Sequence, residues 1–222
     1  MDTATWTAAV GVTRDGAILA EESERTSGSH VAVLPALIER VLARAALSLS
    51  DVEGIAVSIG PGSFTGLRIA LALAKGIAFA GGLPLAAVPT LEALALAADA
   101  APGTTVCAAL DARKREVYAA LFRIGADGRA DRLTPDVALA PAALAERLPA
   151  GCVLVGDAAE VYADALAGRG AALPFATHHP RGGLVARLGW EQLAAGGAVD
   201  LGTTEPVYVR PPEAELPRPG SR

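Results

Sequence analysis

The sequence predicts an α/β protein built as two similar halves. Three observations point there: short apolar runs alternate with segments of helical periodicity, the core-forming residues are small aliphatics rather than aromatics, and each half runs from strands into helices. Apolar residues make up 52% of the 222 residues and aromatic ones 4%, so Ala, Leu and Val must fill the interior. Such residues pack best where helices and strands approach closely in layers. A chain of this length forms one large domain or two lobes of about 100 residues, either of which buries roughly 70% of its unfolded surface.

The elements follow in order. Thr3 to Val12 alternates and is β-branched, Arg14-Asp15-Gly16 supplies a turn, and Ala17 to Glu22 returns as the second strand of a hairpin. After the polar stretch Ser23 to Ser29, the residues Val31, Leu34, Leu37, Ile38, Val41 and Leu42 fall at helical spacing. Gly54 to Ile59 is a short buried strand, Thr65 to Ala80 a helix ended by Gly81-Gly82, Leu85 to Val88 a strand, and Thr90 to Ala98 a helix with Thr90 as its N-cap. Asp99 to Thr104, containing Pro102-Gly103, marks the boundary between a lobe at 1–100 and a lobe at 101–210. In the second lobe, strands are expected at Val106 to Leu110, Glu116 to Ile124, Leu133 to Leu139 and Cys152 to Val155. Helices are expected at Pro141 to Leu148, Glu160 to Leu166 and Leu184 to Ala195. Residues 211–222, proline-rich and polar, read as a flexible tail.

Charge and composition exclude several function classes. The formal net charge is -5 and the only lysines are Lys75 and Lys114, which argues against a broad basic surface that binds nucleic acid by neutralising phosphates. Any RNA is expected to be held through a partner. Cys107 and Cys152 lie in apolar, strand-like runs without a CxxC or Cys/His cluster, and read as buried reduced thiols. No uninterrupted apolar run reaches the ~18 residues of a membrane span, and the segment from Met1 lacks a basic region, apolar core and cleavage site. A cytoplasmic protein without membrane contact is expected.

One segment carries most of the information. Gly60-Pro61-Gly62-Ser63-Phe64-Thr65-Gly66-Leu67-Arg68 leaves a buried strand and opens a helix. Its three glycines allow positive φ and close backbone approach, Pro61 stiffens the turn, and Ser63 or Thr65 can cap the helix. A loop of this kind receives an anion, or another protein's backbone or helix. The common nucleotide motifs do not fit: no Lys follows the last glycine as in a P-loop, and three residues separate Gly62 from Gly66, unlike GxGxxG. An acid about 20 residues on, at the end of the next strand, is also missing, since Pro89 and Thr90 stand there.

The run VSIGPGSFTGLRIALALAKGIA closely resembles the signature of the TsaB (YeaZ) family. Further matches are dispersed in the right order: Asp2-Thr3-Ala4-Thr5, Ser29-His30 followed by Leu34-Pro35, Leu110-Asp111-Ala112-Arg113 with Glu116-Val117-Tyr118, and Pro206-Val207-Tyr208-Val209-Arg210. The resemblance implies an actin/Hsp70-like (ASKHA) two-lobed fold, each lobe a mixed sheet with helices. It implies a non-catalytic platform that pairs through helices of its first lobe with the catalytic subunit TsaD, together with TsaE. That assembly transfers threonylcarbamoyl to the adenosine next to the anticodon of tRNA. The residues Gly60, Pro61, Gly62, Ser63, Phe64, Thr65, Gly66 and Arg68 are expected to form a partner interface or a nucleotide-proximal loop, and His30, Leu34, Leu37 and Ile38 a partner-interface helix. No cofactor of its own is implied, with ATP or ADP at the complex interface; alone, the chain is expected to form a homodimer, and tRNA to be contacted indirectly. Where the family has an apolar strand before Asp2, this sequence has Met1, so the first strand is expected to be severely shortened.

The remaining chemistry-bearing residues support a non-catalytic role. A metal pair at helical i, i+4 spacing is missing, since Leu34 follows His30 at that distance, and the adjacent His178 and His179 point apart in any regular element. No nucleophile elbow GxSxG is present. Asp2 and Asp111 are the acids that would serve an actin-like metabolite kinase, the alternative reading. Asp111 is followed by Arg113, Lys114 and Arg115 and reads as a strand-end carboxylate paired to cations. Arg68 and Lys75, seven residues apart, share one helix face.

Overall fold

The computed structural model describes residues 1–26 and 30–210; Ser29 of the second motif and the 211–222 tail lie outside them. Strands β1 (Thr7–Arg14) and β2 (Ala17–Arg25) form an antiparallel hairpin, the second strand running three residues beyond the expected Glu22. Helix α1 (His30–Arg44) follows, then β3 (Ile55–Gly60), α2 (Phe64–Gly81), β4 (Leu85–Pro89) and α3 (Thr90–Leu96), with β3 and β4 paired in parallel. Helix α2 ends at Gly82, whose φ of 62° is the left-handed conformation that glycine adopts without strain.

The expected first strand starts at Thr7, not Thr3, because residues 1–6 do other work. The Met1 amine donates to the Ala56 carbonyl at 2.8 Å and Ser58 N–H donates to the Met1 carbonyl at 3.0 Å. One residue on, Asp2 and Ala9 exchange both of their backbone hydrogen bonds. Residues 1–2 therefore act as a minimal strand between β1 and β3, giving the order β2, β1, Met1–Asp2, β3, β4.

The second half is built on β5 (Thr105–Arg113) and β6 (Glu116–Ile124), a long antiparallel pair. They are extended by β7 (Ala130–Arg132), β8 (Val137–Leu139), β9 (Val153–Val155) and β10 (Ala171–Ala172) into a six-stranded mixed sheet. The expected strand Leu133 to Leu139 is not continuous. Leu121 uses both backbone groups on the intervening turn, its N–H donating to the Thr134 hydroxyl and its carbonyl accepting from Leu133. The expected helix Glu160 to Leu166 is likewise divided into α5 (Ala158–Val161) and α6 (Ala163–Leu166), because Tyr162 between them leaves helical geometry at φ -119° and ψ 35°. Helix α4 (Pro141–Arg147) opens on proline, which has no N–H to leave unpaired there.

Helix α7 (Gly182–Ala194), counted with the 101–210 lobe by sequence, packs against β1, β2, β3 and β4. It reaches them through glycine. A Cβ on Gly11 would lie 2.2 Å from Gly183 N, and one on Gly182 would lie 2.0 Å from the Val10 carbonyl carbon, so strand and helix backbones touch directly. The first half buries Leu34, Leu37, Val41, Val57 and Leu71 between its strands and the helices α1 and α2. A second cluster runs between the halves, joining Leu91 and Leu94 of α3 and Leu184 of α7 to Val106 and Phe122. Burial of such side chains contributes about 1.5–3 kcal/mol each.

Two expected outcomes follow from these contacts. Gly11→Ala places a methyl inside the α7 backbone and should cost about 1–3 kcal/mol, whereas Gly76→Ala, with nothing within 4 Å of the new Cβ, should gain about 0.5–1 kcal/mol from helix propensity. Chemical denaturation of both variants reads the opposite signs. The second concerns Asp2, whose carboxyl is fully buried and pushed up to about 6 from 3.8, chiefly by desolvation, with the neighbouring Ser58 hydroxyl and the Ala4 N–H offsetting part of it. The folded state holds this proton more tightly than the unfolded chain, so the stabilisation is full below about pH 4 and is lost as pH rises to about 6. Relative to Asp2→Asn, the parent should therefore lose on the order of 2–3 kcal/mol between those pH values and run parallel above them; identical slopes across pH 4–6 would refute it.

Candidate functional site: the glycine-rich loop and the face of helix α2

The loop between β3 and α2 is closed by the chain itself. Gly60 N–H donates to the buried Thr90 hydroxyl at 3.1 Å; Thr90, expected as an N-cap, is instead the first residue of α3 and braces the loop. Gly60 has φ 125°, and the peptide to Pro61 is cis. Ser63 caps α2 as expected, its Oγ accepting from Gly66 N–H at 3.2 Å. Above the loop lies Thr3–Ala4: Ser63 N–H donates to the Ala4 carbonyl at 2.7 Å, and Thr3 Oγ1 donates to the Gly66 carbonyl at 2.7 Å. A Cβ on Gly66 would stand 1.9 Å from the Thr3 carbonyl oxygen, one on Gly62 2.6 Å from that of Ala4, and one on Gly60 2.5 Å from that of Val207.

These distances correct one expectation. At all three glycines the room a side chain would need is taken by the protein's own backbone, from both ends of the described chain. Gly60, Pro61 and Gly66 are buried, and of the loop residues Ser63, Phe64, Thr65 and Arg68 are exposed. Arg68 stacks 3.6 Å from the Phe64 ring centroid and 5.6 Å from that of Tyr208, while the two rings lie 5.2 Å apart. The guanidinium carbon thus lies within cation–π range of both rings. Lys75, on the same helix, lies near Asp200, where its charge helps lower the carboxyl below the usual carboxylate range, behind the larger effect of the Thr203 hydrogen bonds.

The α1 residues need a second correction. Leu34 and Leu37 are completely buried and His30 nearly so, leaving Ile38 alone partly accessible. Helical periodicity marked them because they face the core. Exposed apolar residues of α1 are Val31, Ala32 and Pro35 instead, and a longer exposed stripe lies on α2. Arg68, Ala72, Gly76, Phe79 and Ala80 are exposed along one side, with Phe79 82% exposed, and Leu73, Ile77 and Leu83 border a groove beside them. The opposite side of α2, at Leu67, Ala70, Leu71, Ala74 and Ala78, is buried. Among the described residues α2 is the one helix long and apolar enough to cross a membrane, and its apolar character divides between these two faces.

The residues a catalyst would use are engaged or enclosed. Asp111 Oδ1 accepts from the Tyr162 hydroxyl at 2.8 Å and from Arg113 N–H at 2.9 Å, and its Oδ2 lies 3.2 Å from the Arg113 guanidinium. Asp157 accepts from Asp111 N–H, and burial raises its carboxyl above the usual range. Asp2 is enclosed, with Oδ2 unpartnered. Burial lowers the His30 imidazole below its ordinary value. His178 Nδ1 lies 2.8 Å from the Thr177 hydroxyl, and His179 stands edge-on to Phe175. Among the described residues no group of three metal-capable side chains is brought together.

Several partners escaped sequence reasoning. Arg210 donates to the Glu116 carboxylate at 2.8 Å and to the Ala112 carbonyl at 2.9 Å, while Val207 N–H donates to the Ile59 carbonyl at 2.7 Å. Residues 207–210 therefore strap the loop of the first half to the β5–β6 hairpin. That hairpin turns through Arg113, Lys114 and Arg115, all with positive φ, and Arg113 lies over the exposed Trp6 at 4.9 Å. The shared signal was the order of the motifs at 110–118 and 206–210, whose residues meet in space.

The chain is similar to known proteins. A family model described as TsaD: tRNA N6-adenosine threonylcarbamoyltransferase matches residues 19–165. The tRNA threonylcarbamoyladenosine biosynthesis protein TsaB of Escherichia coli (strain K12) is 31% identical over 95% of this chain and 93% of its own. That of Bacillus subtilis (strain 168) is 30% identical over 97% and 94%. The solved structure of YeaZ from Pseudomonas aeruginosa superposes with a TM-score of 0.80 at 30% identity, covering 93% of this chain and 96% of that one. The fold is that of the YeaZ structure, and the chain belongs to the TsaB (YeaZ) family.

Proposed function

We propose that this protein is a non-catalytic platform in tRNA threonylcarbamoyladenosine biosynthesis, pairing with a TsaD-type transferase through the exposed face of α2. The observation that carries the reading is the apolar stripe from Ala72 to Ala80, with Phe79 near its C-terminal end. An exposed aromatic among small residues on a rigid helix is the composition of a helix-packing interface, where small side chains let backbones approach and the aromatic anchors. Arg68 and the Phe64–Tyr208 pair extend the stripe toward the loop.

The same reading assigns TsaE to the assembly, tRNA to the partner's side and ATP or ADP to the complex interface. It assigns a homodimer through the α2 face when the transferase is absent. A metabolite kinase is not favoured, since Asp2 is enclosed and Asp111 is held by Tyr162 and Arg113.

The experiment follows from burial. Gly66 and Leu34 are core positions, so substituting them would test folding. Phe79→Glu and Ala72→Arg change only the exposed face, and each should weaken co-purification with the TsaD-type partner by about tenfold or more while leaving the thermal midpoint unchanged. In a TsaB-depleted bacterium, the parent should restore the modified adenosine in tRNA and the double variant should not. Retained partner binding by the folded double variant would overturn the assignment of the surface.

A further inference from the structure

The strap at residues 207–210 is fixed at both of its ends, and to different halves of the molecule. Val207 N–H donates to the Ile59 carbonyl of β3 at 2.7 Å, while Arg210 donates to the Glu116 carboxylate at 2.8 Å and to the Ala112 carbonyl at 2.9 Å. Tyr208 sits between these anchors. Its ring centroid lies 5.2 Å from that of Phe64 and 5.6 Å from the Arg68 guanidinium carbon, which itself lies 3.6 Å from the Phe64 centroid. The Tyr208 hydroxyl is buried without a hydrogen-bond partner, so what this residue contributes is its ring.

Arg68 is the cation beside these rings. It is exposed, and among the described residues it makes neither an ion pair nor a hydrogen bond; Arg40, Arg113 and Arg181, by contrast, each pair with an acid. A guanidinium within cation–π range of two rings is restrained before it meets a partner, which lowers the ordering cost of binding. It stands one turn from Ala72, at the N-terminal end of the exposed stripe on α2. The oxyanion it fits is a carboxylate and not a phosphate. The N–H groups of Ser63, Gly66 and Leu67, loop donors on which a phosphate would draw, are taken by the Ala4 carbonyl, the Ser63 hydroxyl and the Ser63 carbonyl. Lys75, the other cation of α2, lies near Asp200. What remains is one planar fork with one charge, and it matches the two oxygens of a carboxylate.

We propose that Arg68 is a specificity-determining anchor of the α2 face, which receives an aspartate or glutamate side chain of the partner, and that Tyr208 is its positioning residue. The inference rests on the partner assignment made above and adds to it the chemistry of one contact. It also gives the strap a role beyond joining the halves. Tyr208 keeps its place only while both anchors hold, so the aim of Arg68 depends on the contact between the two halves, although α2 belongs to the first half alone.

Affinity for the TsaD-type partner is measured with the full chain and without nucleotide. Arg68→Glu and Arg68→Ala should each weaken it by about tenfold or more, and Arg68→Lys, which keeps the charge but not the fork, should stay weaker than the parent by about threefold or more. Tyr208→Phe keeps the ring and should bind as the parent does, whereas Tyr208→Leu should lose about threefold or more. The double variant decides between positioning and mere folding. Tyr208→Leu should add nothing in the Arg68→Ala background, while a general folding defect would weaken both backgrounds alike. Unchanged affinity in Arg68→Glu, full recovery in Arg68→Lys, equal loss from Tyr208→Leu in both backgrounds, or a dependence on Arg68 seen only with added ATP would each overturn the proposal. If Phe79→Glu weakens binding and Arg68→Glu does not, this inference fails and the partner surface stands; if neither does, the surface itself fails.

Discussion

The four hydrogen bonds made by the main chain of Met1 and Asp2 join the β1–β2 hairpin to the β3–β4 pair, and most of what distinguishes the first half hangs on that join. Two-stranded ladders are marginal alone. Tied together, they offer one surface to α1 and α2 and another to α7. The join also directs Thr3 and Ala4 across the start of α2, which is why Gly62 and Gly66 have no room for a side chain. The cost is an enclosed carboxylate and an enclosed amine at adjacent residues, each pulled toward its neutral form by desolvation.

With the glycine-rich loop filled from within, the surface that remains at the site is different in kind from a phosphate cradle. The first turn of α2 offers Phe64 and Arg68, stacked and positioned by Tyr208, and the helix beyond offers small residues around Phe79. A surface of that composition packs against another protein more readily than it performs chemistry. Asp111, by contrast, is held by Tyr162 and Arg113, with both carboxylate oxygens engaged.

The contacts that couple the two halves differ in physics. Leu91, Leu94 and Leu184 form an apolar seam with Val106 and Phe122. Arg210 forms charge-assisted hydrogen bonds to the hairpin, while Val207 adds a main-chain bond to the loop. Arg113 lies on Trp6 across the same mouth. Helix α7, last of the helices among the described residues, returns to cover the sheet begun by β1, so the sequence boundary near residue 100 does not separate two independent cores.

Local patterns carried much of this in the sequence. The helix at 64–81 was legible from its Ser63 cap, its periodicity and its glycine end, and the β5–β6 pair from continuous apolar runs, because caps, turns and strand runs are set by near neighbours. The motifs identified the family through their residues and their order along the chain. Periodicity could not say what faces what: Leu34 and Leu37 bear the same signal whether a helix packs on its own sheet or on a partner. Nor could it foresee that Tyr162 would break a helix to reach Asp111, or that glycines suited to a ligand would receive Thr3, Ala4 and Val207. Those outcomes depend on contacts between residues far apart in the chain, whose energies no local window contains, so the sequence by itself determined the elements and the family while the tertiary structure alone decided which surface stayed open.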